Sequence, residues 1–367
     1  MSRLSLILLW CLLPIYGYAA NAQISLQLKW KHQFQFAGYY MALEKGYYRD
    51  AGLDVTLIEG GPGRSAVEHV VNEQAAYGIT STGALIECSR GKAVRVVGAI
   101  FQHSPLVLLV KKSSTVKTLA DLRGKRIMLQ QGYQNAGIVA ALKEVGVYEK
   151  DFIRQDISYD IHDLTAGRTD AFAAYLTDQP HQLKLLGVPY RIFYPKDHGV
   201  DFYGDIVITS DAEISNHPQR VRAFMQATAR GWNDALEHID EAIDLILLKY
   251  NTQHLPREQL LFEARESAKL IMHDVVNIGY MNNYRWQRIA QTYAAQGLLP
   301  ANYPVSAFLY QPEPFMVEVI RNNLWWLGLL LLALLALHIV ILHRTVRYKT
   351  KALESERKIL LAGERFD

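Results

Sequence analysis

The chain has 367 residues, 50% of them hydrophobic and 20% charged, a globular balance that excludes disordered, collagenous and low-complexity classes. Lys and Arg total 39 against 36 Asp and Glu, a net charge of +3, too small to suggest a nucleic-acid binder. Two cysteines exclude a disulfide scaffold and a cysteine-rich metal site.

Residues 1–22 read as a secretory signal peptide. Arg3 supplies the positive start, residues 6–13 the apolar stretch, and Ala20-Asn21-Ala22 the small cleavage-site residues. From residue 24 onward, strands and helices alternate. Strands are predicted at 24–28, 55–58, 77–80, 94–101 and 106–111, with helices at 38–49, 65–72 and 85–90. The pattern restarts at Ser113. A short helix near 118–123 precedes strand 126–129, helix 133–144, a strand around Asp156, helix 162–166 and strands 170–175 and 190–193. Residues 205–208 are mostly apolar and return the chain to the first part, and 217–298 are mostly helical. Within 218–238, Val221, Phe224, Ala227, Ala229 and Trp232 recur at helical spacing. Such alternation predicts an α/β fold of two lobes, each a parallel sheet with helices on both faces. Lobe one is expected at about 23–111 and 204–312, lobe two at about 112–203. Two crossings, near Lys111 and near Tyr203, would form the hinge.

A second apolar run, 324–342, contains only His338 as a polar residue. At 1.5 Å per residue it covers roughly 28 Å, close to the hydrocarbon thickness of a bilayer. Trp325 and Trp326 open it, and Arg344, Arg347, Lys349 and Lys351 follow it. Aromatic residues favour the interface and positive flanks stay cytoplasmic. The tail 343–367 holds seven Lys or Arg and four Asp or Glu, a charge of +3, so residues 1–342 sum to zero. The expected arrangement is a periplasmic domain at 23–322, a single inner-membrane helix at 323–342, and a basic juxtamembrane helix at 343–367 in the cytoplasm.

Open α/β sheets bind ligands beyond the carboxyl ends of their strands. That rule selects Trp30, the loop 60–63 with Gly61, Thr80 and Ser81 in the first lobe, and Gln131, Gly132, Tyr133, Tyr175 and Asp178 in the second. The Gly-Gly-Pro-Gly loop at 60–63 is equally an anion cradle or an ordinary turn. Seven aromatics fall between Trp30 and Tyr48, Tyr39 among them, and a flat heterocycle could stack on such rings. Trp30, ending a strand toward the cleft, is the best placed. The twelve histidines are scattered without metal-ligand spacing, so no metal site is expected. No nucleophile signature is present, no cofactor is called for, and Cys88 reads as a buried, inert thiol.

Several runs together carry a resemblance: LKWKHQFQFAGYYMA at 28–42, EKGYY at 44–48, GLDV at 52–55, AIFQHSP at 99–105, YLTDQP at 175–180 and DFYGD at 201–205. The chain resembles the thiamine-pyrimidine synthase-like family of periplasmic substrate-binding proteins over about 24–312. That resemblance implies a two-lobed, type II periplasmic-binding fold clamping a pyrimidine-like small molecule, and it adds Tyr203 and Asp205 to the expected site. The family also includes an enzyme that builds thiamine pyrimidine from pyridoxal phosphate and its own histidine, using a lysine to hold the cofactor. Neither lysine nor histidine stands in GITSTGAL at 78–85, and 202–208 has no counterpart to the enzyme's cysteine-rich stretch. Binding without chemistry is therefore expected. The domain is also similar to the sensor half of histidine kinases and diguanylate cyclases. A membrane-anchored sensor is the favoured reading, its output supplied by a partner or by sequence beyond Asp367. Delivery of a thiamine pyrimidine precursor to an ABC permease is the alternative.

Overall fold

The computed structural model describes residues 21–130, 132–311 and 315–363. Most of the expected signal, Gln131, Pro312 and Pro314 lie outside the described residues.

The chain begins with β1 (Ala22–Gln27), β2 (Leu53–Ile58), β3 (Tyr77–Thr80) and β4 (Val94–Ala99). It then builds β5 (Leu106–Lys111), β6 (Arg126–Leu129), β7 (Ile153–Asp156), β8 (Ala171–Tyr175) and β9 (Tyr190–Phe193) before returning as β10 (Ile206–Ser210). One sheet has the order β2-β1-β3-β10-β4, the other β7-β6-β8-β5-β9.

The structure corrects two expectations. Both sheets are mixed rather than parallel: β10 runs antiparallel to β3 and β4, and β5 antiparallel to β8 and β9. The strand expected to close the first lobe, β5, is a central strand of the second sheet. Leu106 to Val110 are all buried, as befits a strand covered on both faces. The first crossing therefore lies at 100–105 instead of near Lys111.

The two crossing segments run side by side. The Ile100 N–H donates to the Asp205 carbonyl at 2.8 Å, Gly204 N–H to the Phe101 carbonyl at 2.9 Å, and Ser104 N–H to the Phe202 carbonyl at 2.8 Å. Glycine is needed at 204, where a Cβ would sit 2.6 Å from Phe101 Cβ and 2.9 Å from the His103 carbonyl. Backbones this close leave a narrow two-segment connection, the kind of element about which lobes hinge.

Lobe one is thickened by helices that follow β10. The helix Pro218–Glu237 buries Val221, Phe224, Ala227, Thr228, Gly231, Trp232, Ala235 and Leu236. The apolar stripe thus runs through Thr228 and Gly231, and Ala229 is only half-buried. Its partner is the helix Ala37–Glu44. A Cβ on Gly231 would meet the Gly38 carbonyl at 2.2 Å, and one on Gly38 would meet the Trp232 ring at 2.2 Å. Small residues let these helices touch backbone to backbone, and Tyr77 and Phe224 stack beneath them at 3.9 Å.

A separate unit, 311–367, is built on the helix Phe315–Gly363. Its stretch Leu324–Lys358 is long and apolar enough to cross a membrane, and none of it is buried by protein.

Candidate functional site

The first strand delivers two side chains toward the second lobe. Leu28 N–H still bonds the Ile58 carbonyl at 2.9 Å, and beyond it Lys29 and Trp30 leave the carboxyl end of the sheet. Gly60 pins this end: its N–H donates to the Trp30 carbonyl at 3.0 Å, and a Cβ there would lie 2.3 Å from the Leu28 carbonyl.

Lys29 Nζ donates to Tyr175 Oη at 2.6 Å and to Asp205 Oδ1 at 3.1 Å. Asp205 Oδ2 accepts from Gln35 Nε2 at 2.7 Å. The end of β1, the end of β8 and the second crossing are thereby tied together. Burial disfavours the Lys29 ammonium, but the adjacent Asp205 and Tyr175 outweigh it and raise its pKa above the ordinary lysine value. Lys29 is thereby held as an ammonium that donates hydrogen bonds.

Trp30 faces Tyr159 of lobe two, with ring centroids 5.3 Å apart and planes tilted by 42°. Tyr159 adopts a left-handed backbone, φ 63°, uncommon for a bulky residue.

Beside these contacts lies a cavity of about 40 Å³ lined by Ser81, Thr82, Tyr133, Tyr175, Tyr203 and Tyr293, room for about three waters. Tyr133 donates to Glu87 Oε1 at 2.6 Å, and its ring lies 2.3 Å from where a Gly83 Cβ would be. Ser81 Oγ donates to Gln134 Oε1 at 3.3 Å. Tyr203 accepts from Asn282 N–H at 2.8 Å, and the Arg285 guanidinium lies 4.2 Å above its ring. The walls are rings and hydroxyls from both lobes, suited to a small, flat, polar-edged molecule.

The expected site residues divide. Ser81, Tyr133, Tyr175 and Tyr203 line one cavity; Asp205 reaches it through Lys29 and Tyr175, and Trp30 meets the opposite lobe directly. Thr80 is half-buried at the end of β3, paired with Ile206, and Gly132 opens the turn Gly132–Asn135. Gly61 lies in the loop after β2, away from the cavity lining. Tyr39 does not line this cavity. It is buried in lobe one with its ring 5.8 Å from Trp232, edge-on.

Asp178 belongs to a second seam between the lobes. It accepts from Gln179 Nε2 at 2.6 Å, Gln182 Nε2 at 2.7 Å and Gln259 Nε2 at 3.3 Å. Gln259 also donates to Glu263 Oε1 at 3.2 Å, and Phe34 N–H donates to Glu263 Oε2 at 2.9 Å. Burial, followed by repulsion from Asp178, pushes the Glu263 carboxyl up to about 8. Burial raises Asp178 as well.

Sequence reasoning missed Lys29, Gln35, Tyr159 and Glu263. Glu263 left a signal: it interrupts the apolar stripe Leu260, Ala264, Leu270 and Ile271 of the helix Arg257–Ile271. A lysine just past a strand and a tyrosine in a polar loop leave none. Cys88 is half-buried, with Tyr303 Oη 3.4 Å from its sulfur. Among the described residues no group of three or more His, Cys, Asp or Glu is placed to hold a metal.

Two lobes of mixed sheet, a double crossing and a polar aromatic cleft define the periplasmic binding protein fold. The aliphatic sulphonate binding protein SsuA from Escherichia coli shares it, with a TM-score of 0.62 and 16% identity over 80% of this chain and 93% of that one. Residues 33–242 match the NMT1/THI5 like family, and the chain belongs to that family. It is similar to the riboflavin-binding protein RibY of Chloroflexus aurantiacus, 27% identical over 78% of this chain and 86% of that protein. It is also similar to the formylaminopyrimidine-binding protein of Halalkalibacterium halodurans, 24% identical over 69% and 78% of the two.

Proposed function

We propose that this chain is a membrane-anchored periplasmic binding protein that senses a small heterocycle, a thiamine pyrimidine precursor or an analogue, between its two lobes. The observation that carries the reading is the cleft. Trp30 from one lobe meets Tyr159 of the other, and the adjoining cavity is walled by hydroxyls and rings of both. A ligand touching both lobes gains its full binding free energy only when they close on it. The apolar helix Leu324–Lys358 would hold the domain at the inner membrane, with the basic tail on the cytoplasmic side. Ligand-driven closure would then be relayed to a cytoplasmic output. Delivery to an ABC permease uses the same cleft; the helix, which a freely diffusing carrier does not need, favours the sensor.

Synthase chemistry fits poorly. Pyridoxal phosphate needs a neutral amine to condense with, and Lys29, which reaches this cleft, is held as an ammonium by Asp205 and Tyr175. Titration calorimetry of the full chain in detergent micelles with riboflavin, formylaminopyrimidine and hydroxymethylpyrimidine tests the function. Saturable one-to-one binding of at least one is expected; no binding of any would overturn the reading.

A further inference from the structure

The second crossing borders another cavity, of about 260 Å³ against about 40 Å³ for the one in the cleft. On one side is lobe two, with Lys196 on the short helix Pro195–His198 and Gly199 after it. On the other is the helix Asn283–Ala295 of lobe one, which contributes Tyr284, Arg285, Arg288, Ile289 and Thr292. The crossing supplies Asp201 and Phe202 between them. Phe202 and Ile289 are buried and give the cavity an apolar floor, whereas Tyr284 is 66% exposed and contributes little to a core.

The charge around this cavity is unbalanced. Arg285 is engaged within the protein: it pairs with Asp201 Oδ1 at 2.9 Å and donates to the Phe202 carbonyl at 3.3 Å. His103 Nδ1 lies 2.7 Å from the same carboxylate oxygen. Lys196 and Arg288 differ. They line one cavity from opposite lobes, both are exposed, and neither makes an ion pair among the described residues. Lys196 Nζ has only the Tyr194 ring, 5.8 Å away. With Arg285 offset by Asp201, the lining carries two uncompensated positive charges. Like charges sharing a partly enclosed space repel, and an anion placed between them relieves the repulsion. Lysine as a point charge and arginine as a planar fork are the side chains that hold phosphate. A doubly charged head group over an apolar floor matches the lining in both charge and polarity.

Two residues tie this cavity to the cleft. Phe202 lines both. The Arg285 guanidinium lies 4.2 Å from the centre of the Tyr203 ring, and Tyr203 lines the cleft cavity. The lobes are in contact in this arrangement, Trp30 with Tyr159 and Lys29 with Tyr175. An anion held at once by Lys196 of lobe two and Arg288 of lobe one stabilises that same arrangement.

We propose that the cavity beside the second crossing is an effector site for a phosphate monoester with a small apolar body, its phosphate held between Lys196 and Arg288, and that occupancy favours contact between the lobes. The binding stands on the cavity alone. The coupling to the cleft rests on the function proposed above.

The test titrates phenyl phosphate into the full chain in uncharged detergent at low salt, with inorganic phosphate and phenol as controls. Saturable one-to-one binding is expected, at least about tenfold tighter than either control and weaker as salt rises. Lys196→Gln combined with Arg288→Gln should cost about tenfold in phenyl phosphate affinity. Both side chains are exposed, so the melting temperature without anion should stay at the wild-type value. Saturating phenyl phosphate should tighten binding of riboflavin, formylaminopyrimidine or hydroxymethylpyrimidine, whichever the cleft takes, by about threefold or more, and that heterocycle should tighten phenyl phosphate by the same factor. No saturable phenyl phosphate binding, equal binding of phenol, or wild-type affinity in the double variant would overturn the site. Inorganic phosphate binding as tightly as phenyl phosphate would overturn the apolar half of the assignment. Competition between phenyl phosphate and the heterocycle would place both in the cleft and overturn the separate site. Independent binding of the two would overturn the coupling and leave the site and the proposed function standing. A chain that binds phenyl phosphate at Lys196 and Arg288 but no heterocycle would overturn the function and support the site.

Discussion

Glu263 offers a perturbation whose size can be worked from the structure. It is 2% exposed, and burial followed by repulsion from Asp178 lifts its pKa from 4.5 to about 8. In the folded chain it keeps a proton that the unfolded chain releases between about pH 4.5 and 8. The folded state binds more protons in that window, so stability falls as pH rises through it and levels off above pH 8. The shift corresponds to roughly 5 kcal/mol at the upper end. Glu263→Gln abolishes this cost. The glutamine oxygen can still accept from Phe34 N–H, and its amide can meet Gln259 turned to offer its oxygen, at the loss of the 3.3 Å contact to Asp178. The variant should match wild type near pH 4.5 and exceed it above pH 8 by several kcal/mol, on the order of 10 °C in melting temperature. The lobes bring these carboxylates together, so ionisation above pH 8 should also favour their separation. Tryptophan-fluorescence melts of both proteins between pH 4.5 and 9 give the difference directly. A difference that does not grow with pH would refute the assignment of a buried, shifted carboxyl at this seam.

Three further outcomes follow from the same geometry. Trp30→Ala should weaken ligand binding by about 0.5–3 kcal/mol, the worth of one stacked and buried ring face; unchanged affinity by calorimetry would remove Trp30 from the site. Gly231→Ala should destabilise the domain by at least about 1–3 kcal/mol, because its Cβ would meet the Gly38 carbonyl at 2.2 Å; a melting temperature equal to wild type would contradict the close helix packing. Pyridoxal phosphate followed by borohydride should leave Lys29 unmodified, and a pyridoxyl adduct there by mass spectrometry would revive the synthase reading.

The fold was largely legible because strand patterning and turn glycines are local signals. Tyr77–Thr80, Leu106–Lys111, Arg126–Leu129 and Tyr190–Phe193 end where their alternation or apolar runs end. Sheet membership was not legible: β5 is apolar from Leu106 to Val110, and nothing in such a run states whether its neighbour is β4 or β8. The site was half legible. Trp30, Ser81 and Tyr175 meet at the candidate cleft because topology places strand ends there. Tyr39 misled because a helix in an aromatic-rich segment can turn its rings inward, and here the approach of Gly38 to Trp232 fixes that rotation. Lys29 and Tyr159 meet their partners only across the lobes, in pairings more than a hundred residues apart in the chain.

The most direct test of the central claim measures the separation of the lobes. With Cys88→Ser as background, spin labels at exposed Asp54 in lobe one and exposed Lys150 in lobe two report the distance by double electron–electron resonance. The full chain should show a broad distribution without ligand that collapses to a single, shorter distance at saturation with whichever heterocycle binds. Identical distributions with and without saturating ligand would contradict a ligand clamped between the lobes.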